Sequence, residues 1–255
     1  MKRSLFFLYG IICYFVFFVT FLYAVGFVGN FIVPKTIDSG FQGGSTYAWV
    51  VNILLLSLFA VQHSVMARPG FKKWWTRIIP KPIERSTYVL LSSVVLILLF
   101  TFWRPIDGVV WNLKGGLAGS VLIALNFFGW FMVLLDTFLI NHFHLFGLQQ
   151  VYFNLKRKDQ PHPKFVKPLF YKIVRHPLML GFIIAFWTTP EMSVGHLLFA
   201  FATTGYILVA IQLEERDLVR YHGEEYRRYQ QEVSQIIPMP PRRTGEIDAG
   251  AEKIY

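Results

Sequence analysis

Apolar residues in this chain come in long blocks, and basic loops separate the blocks. Within a block the residues do not alternate between apolar and polar. A helix needs about 20 apolar residues to cross a bilayer, and several blocks reach that length. A membrane barrel would instead show alternating runs of about ten residues. The pattern therefore predicts an all-α integral membrane protein with five to six transmembrane helices. The first four are expected over 5–33, 46–66, 86–103 and 116–140, and a long polar loop over 141–174. A C-terminal helical hairpin follows, with arms over 177–188 and 193–213 and a tight break at Thr189-Pro190. A basic, amphipathic tail helix should run to about Gln235, with Pro238 beyond it as a stop signal. Residues 1–240 read as one membrane-embedded domain, 1–140 and 141–240 forming its two halves. Residues 241–255 read as a disordered tail. A secretory apolar core spans about 7–15 residues, so the much longer first block is expected to remain as a helix.

Charge orients the blocks. The chain carries 25 Lys and Arg against 15 Asp and Glu, a net +10. With an inward N-terminus and six crossings, 22 of the 25 basic residues fall on one side, leaving only Lys35, Arg104 and Lys114 on the other. Such asymmetry marks the cytoplasmic face. Both termini are expected there, in a bacterial inner membrane. The basic loops then meet anionic lipid, so no nucleic-acid partner is expected. Trp74 and Trp75, within the loop holding Lys72, Lys73 and Arg77, suit the headgroup layer. The single cysteine, Cys13, supplies no disulfide and no metal spacing. His142 and His144 stand two residues apart without a third ligand, and no metal is expected. Gly115-Gly116 with Gly119 would let helices approach closely, within one chain or between two copies.

Two charged clusters bracket the hairpin. The first is Arg175-His176, followed by Pro177, which suits the first position of a helix. Arg offers a planar fork for a carboxylate, and His both donates and accepts hydrogen bonds near neutral pH. An Arg–His pair resting at the membrane interface fits the spacing equally well. The second cluster is Glu214-Glu215. Acids near hydrocarbon are costly. These two either pair with Arg175, bind a cationic ligand, or form a solvated helix end with Arg216 or Arg220. A hairpin brings both clusters to the same end. Asp136, Asn141 and His142 sit at the end of the fourth predicted helix. They suit either capping and loop anchoring or one wall of a site.

Taken together, Arg175-His176-Pro177, Gly181, Glu214-Glu215 and Gly223-Glu224-Glu225-Tyr226-Arg227-Arg228-Tyr229 resemble the C-terminal half of the membrane methyltransferases. Those include the isoprenylcysteine carboxyl methyltransferases and the phospholipid methyltransferases. Met179, His222 and Ser234 depart from that pattern, standing where it has Tyr, Phe and Pro. In the N-terminal half, Phe21-Leu22-Tyr23-Ala24-Val25-Gly26-Phe27, Val33-Pro34-Lys35-Thr36-Ile37-Asp38-Ser39-Gly40 and Ile140-Asn141-His142-Phe143 are similar to the bacterial methanethiol S-methyltransferases. NnrU-like proteins share much of the pattern.

The resemblance implies an enzyme that uses S-adenosylmethionine to methylate a small volatile thiol, methanethiol, giving dimethyl sulfide. It implies that Tyr171, Arg175, His176, Pro177, Leu178 and Gly181 cradle the cofactor. Glu214 or Glu215 would take its hydroxyl or amino groups, and Tyr226 and Tyr229 would close the pocket. His142 or Asp136, beside Asn141, would help the thiol lose its proton. No glycine-rich dinucleotide fingerprint stands between a strand and a helix, which agrees with a membrane family. Other acceptors (an isoprenylcysteine carboxylate or a lipid amine) and a non-enzymatic NnrU-like protein remain as alternatives.

Overall fold

The computed structural model describes residues 1–40, 45–161 and 166–239. Ten helices are present among them: α1 Lys2–Gly29, α2 Ser45–Ala67, α3 Pro69–Trp75, α4 Glu84–Phe102, α5 Leu117–Ile140, α6 His142–Leu145, α7 Leu148–Lys156, α8 Pro177–Trp187, α9 Val194–His222 and α10 Glu224–Glu232. Two short strands, β1 Val109–Asn112 and β2 Glu191–Ser193, pair antiparallel. Five helices among the described residues are long and apolar enough to cross a membrane: α1, α2, α4 with the turn before it, α5 and α9. The all-α membrane architecture therefore holds. The sixth predicted crossing, α8, has 11 residues, about 16 Å of helix against a hydrocarbon core of about 30 Å.

Three expectations change. The predicted loop over 141–174 contains α6, α7 and a 3-10 turn at Leu169–Lys172. These elements are too short and too polar to register as hydrophobic blocks. The last long helix does not stop at Leu213; α9 continues to His222, so Glu214 and Glu215 lie within a helix rather than past its end. Gly223, at φ +59°, breaks α9 from α10, a backbone angle that glycine adopts at little cost. The tail helix then ends at Glu232, short of Gln235. The expected tail over 241–255 lies outside the described residues.

The helices form two groups. In one, α4 packs against both α1 and α2; in the other, α8 packs against α5 and α9. The tightest seam is α5 on α8. A Cβ built on Gly129 would lie 2.6 Å from the Ala185 backbone nitrogen, and one on Gly181 would lie 2.9 Å from the Gly129 carbonyl. Asn126 Nδ2 donates to the Ala185 carbonyl at 2.6 Å along the same seam. Small residues of this kind let two backbones approach inside a membrane, where van der Waals packing drives association. Gly181 therefore faces α5. At the end opposite the basic loops, an aromatic core of Phe27, Phe100, Trp103, Trp130, Phe186 and Phe199 joins the two groups. The β1–β2 ribbon closes that end, with Ser193 donating to Asp38 and Trp103 Nε1 donating to the Ile37 carbonyl at 3.0 Å.

Replacing Gly129 with Ala should force α5 and α8 apart. We expect about 1–3 kcal/mol of destabilisation, typical of overpacking, read as a lower unfolding temperature in detergent. The exposed Gly70→Ala change, where an added Cβ meets nothing within 4 Å, should leave that temperature nearly unchanged.

Candidate active site

The two charged clusters do meet, and Glu215 is where they join. Its Oε1 accepts from Arg175 Nε at 2.7 Å, and Oε2 from Arg175 Nη2 at 3.3 Å. His176 Nε2 lies 3.0 Å from Oε1, and Gln230 Nε2 donates to Oε2 at 2.8 Å. Arg175 also donates to the Gln230 carbonyl at 3.0 Å and to the Val233 carbonyl. Both side chains are buried. Buried ion pairs require this kind of complete satisfaction, because the desolvation of each charge is costly.

The phase of α9 explains the choice of carboxylate. Ile207, Ile211 and Glu215 recur every four residues on the buried face, and the two isoleucines pack with Ile236 and Met179. Glu214 points away from that face, its side chain 48% exposed, with Oε2 3.8 Å from His176 Nδ1. Glu215 is thus committed to the scaffold, and Glu214 is the acid left facing open space. Met179 completes an apolar cluster.

The segment after α10 seals the knot. Arg175 N donates to the Ser234 carbonyl at 2.8 Å, and His176 N to the Gln235 carbonyl at 3.1 Å. The Ser234 carbonyl that serves there is a group that proline also carries, so this contact survives the departure from the resemblance. Tyr226 and Tyr229 are each 2% exposed and wedge α10 against the hairpin. Tyr229 donates its hydroxyl to the Tyr171 carbonyl at 2.5 Å. Pro177 opens α8, with Leu178 half-buried beside it. Gln230 was not anticipated from the sequence; no charge or motif distinguishes it.

The structure separates Asp136, Asn141 and His142. His142 is a latch. Its Nδ1 lies 2.7 Å from Thr137 Oγ1 and its Nε2 2.8 Å from Tyr14 Oη, and its ring stacks on Phe138 at 4.1 Å. Burial lowers its pKa from the ordinary value. Asn141 caps α6, its Oδ1 accepting from His144 N at 3.1 Å, and lies on an apolar groove with Phe7, Ile11 and Tyr152. Asp136 differs from both. It is 0% exposed, and neither carboxylate oxygen has a hydrogen-bond partner among the described residues. The antiparallel seam pairs Asn126 with Ala185 and then Val133 with Gly181, so one further turn carries Asp136 to the N-terminus of α8. There it joins Tyr171, whose hydroxyl is pushed up in pKa by burial first, then by Asp136, Glu214 and Tyr229 around it. Asp136, Tyr171, His176 and Glu214 thus converge at one end of the hairpin.

A multi-pass helical protein with a buried Arg–Glu–His knot beside a buried carboxylate, Asp136, that has no hydrogen-bond partner among the described residues is the class that fold and site define. The chain belongs to the NnrU protein family, whose sequence profile matches residues 51–233. Over 91% of its length it is 56% identical to Methanethiol S-methyltransferase 1 of Bradyrhizobium diazoefficiens, covering 81% of that protein. It is 54% identical to the Methanethiol S-methyltransferase of Mycobacterium tuberculosis, over 96% of this chain and 100% of that one. It is also 28% identical to human Nurim over 71% of each chain. No solved structure matches it.

Two outcomes follow from the geometry. Glu215→Ala strands a buried guanidinium and should cost about 3–5 kcal/mol, seen as loss of the folded form in detergent; Glu214→Ala should leave stability near wild type. Because burial depresses His142, the folded state resists its protonation. Stability is fully present above about pH 6.5, the ordinary histidine value, and falls as pH drops below it. Thermal unfolding between pH 7 and 5 should show that loss, and His142→Gln should reduce it, leaving the share due to His144, which burial also depresses.

Proposed function

We propose that the protein methylates methanethiol to dimethyl sulfide, with S-adenosylmethionine as methyl donor. Relatives between 51% and 56% identical carry the name methanethiol S-methyltransferase. The observation that carries the reading is Asp136. A buried, unpartnered carboxylate is costly and calls for a cation or a proton donor. S-adenosylmethionine brings an activated methyl group on a positively charged sulfur, together with an ammonium and ribose hydroxyls. Asp136, Glu214 and the Tyr171 hydroxyl fit such a group in charge and hydrogen-bonding capacity. The groove between α9 and α10 does not, because Arg216 and Arg220 line it.

In this reading the Arg175–Glu215–His176 knot fixes the start of α8 and so the positions of Tyr171 and Glu214. Glu214 accepts hydrogen bonds from the hydroxyl or amino groups of the cofactor. Asp136 accepts the proton that the acceptor thiol must lose, since the thiolate is the nucleophile. A positive charge nearby lowers the thiol's pKa and eases that transfer. Tyr226 and Tyr229 exclude water from the base of the site. The basic end faces the cytoplasm of a bacterial inner membrane, by the same charge asymmetry that orients the helices.

Membranes containing the expressed protein, supplied with S-adenosylmethionine and methanethiol, should release dimethyl sulfide well above empty-vector membranes. Asp136→Asn should lower kcat by about 10²-fold or more, in the range of general-base loss. Turnover at the wild-type level in that variant would remove Asp136 from the chemistry. No product from the wild type would reject the function.

A further inference from the structure

Beyond Asp136 the acceptor side of this site has no assigned residues, and α2 carries a histidine, His63, that no role yet uses. On α2, Asn52, Leu56, Phe59, His63 and Met66 follow one another at spacings of three and four and form the inward strip. Asn52 and Met66 are buried, while Val61 and Val65 on the outward side are exposed. Phe59 and His63 lie on the inward strip and keep some accessible surface, although His63 sits deep among neighbouring atoms, which is the accessibility a small solute would use. Polar side chains at membrane depth are costly and line functional cavities or pair with one another. His63 stacks on Phe59 at 5.2 Å and lies 2.9 Å from the Tyr88 hydroxyl of α4. Tyr206 of α9 meets Phe59 edge-on at 6.1 Å, and its hydroxyl accepts from Ser64 at 3.4 Å. Phe59, His63, Tyr88 and Tyr206 therefore form a box of rings, held by hydrogen bonds at the rims.

The box adjoins the site already described. Tyr206 is close enough to Glu214 for the two to interact electrostatically. The same strip of α9 ends at Asp217, which pairs with Arg68 at the end of α2 at 2.9 Å. Glu214 thus lies between two contacts of α9 with α2, with His176 behind it. Aromatic walls suit divalent sulfur, which favours contacts about 5 Å from a ring, and they admit a solute that partitions from lipid.

We propose that Phe59, His63, Tyr88 and Tyr206 form the acceptor pocket, holding the thiol sulfur among their rings and setting the length of the alkyl group it accepts. This rests on the thiol methyltransferase reading above. The test compares methanethiol with 1-propanethiol and measures S-adenosylhomocysteine affinity by calorimetry. Tyr206→Ala and Phe59→Ala should each shift the kcat/KM ratio at least tenfold toward 1-propanethiol, with affinity for S-adenosylhomocysteine within about twofold of wild type. Tyr206→Trp should raise the KM for methanethiol with the same nucleoside affinity. If an alanine variant loses nucleoside binding, Phe59→Val carries the same comparison. An unchanged length preference and KM in variants that still bind S-adenosylhomocysteine overturns the pocket and leaves the function standing. A wild type that makes no dimethyl sulfide overturns the function and the pocket together.

Discussion

The Glu215 carboxylate is the point on which the basic end of the molecule depends. It gathers Arg175, His176 and Gln230, and through them three separated segments of chain: the entry to α8, the body of α9 and the end of α10. The Arg175 guanidinium then reaches the Gln230 and Val233 carbonyls, so one buried ion pair also satisfies the backbone beyond α10. Burying these charges is costly, and the cost is met by near-complete hydrogen bonding. The return is placement: α8 begins at a defined spot, with Tyr171 before it and Asp136 opposite.

The acids at this end divide into two kinds. Glu215 is saturated with donors and serves the scaffold. Asp136 has none among the described residues, and the Glu214 side chain is half exposed. The two histidines both serve as links between helices: His142 uses both ring nitrogens to hold α1 to α5, and His63 bonds Tyr88 and Ser92 of α4 while keeping some accessible surface. In the proposed function the reactive acid is Asp136, which the scaffold leaves without a hydrogen bond among the described residues.

Much of this was legible in the residue pattern. Block lengths specified the long helices, because crossing hydrocarbon imposes about 20 apolar residues. The hairpin followed from two charged clusters bracketing apolar sequence. What escaped the pattern has definite physical causes. The two acids at 214 and 215 are indistinguishable until α9 is known to continue past Leu213; only then does the Ile207–Ile211–Glu215 spacing turn Glu215 inward. Short α6 and α7 have no hydrophobic signature and are held by tertiary contacts such as the His142–Tyr14 bond. Gln230 carries no charge to mark it. Asp136, Asn141 and His142 are near in sequence, yet a helix end sends their side chains to three different surroundings.

A structure determined with S-adenosylhomocysteine at saturating concentration tests the central claim most directly. The nucleoside should lie at the start of α8, with its polar groups against Tyr171, Glu214 and Asp136 and the Arg175–Glu215 pair intact behind it. Nucleoside bound in the groove by Arg216 and Arg220, or bound only after the Arg175–Glu215 pair had opened, would contradict the account.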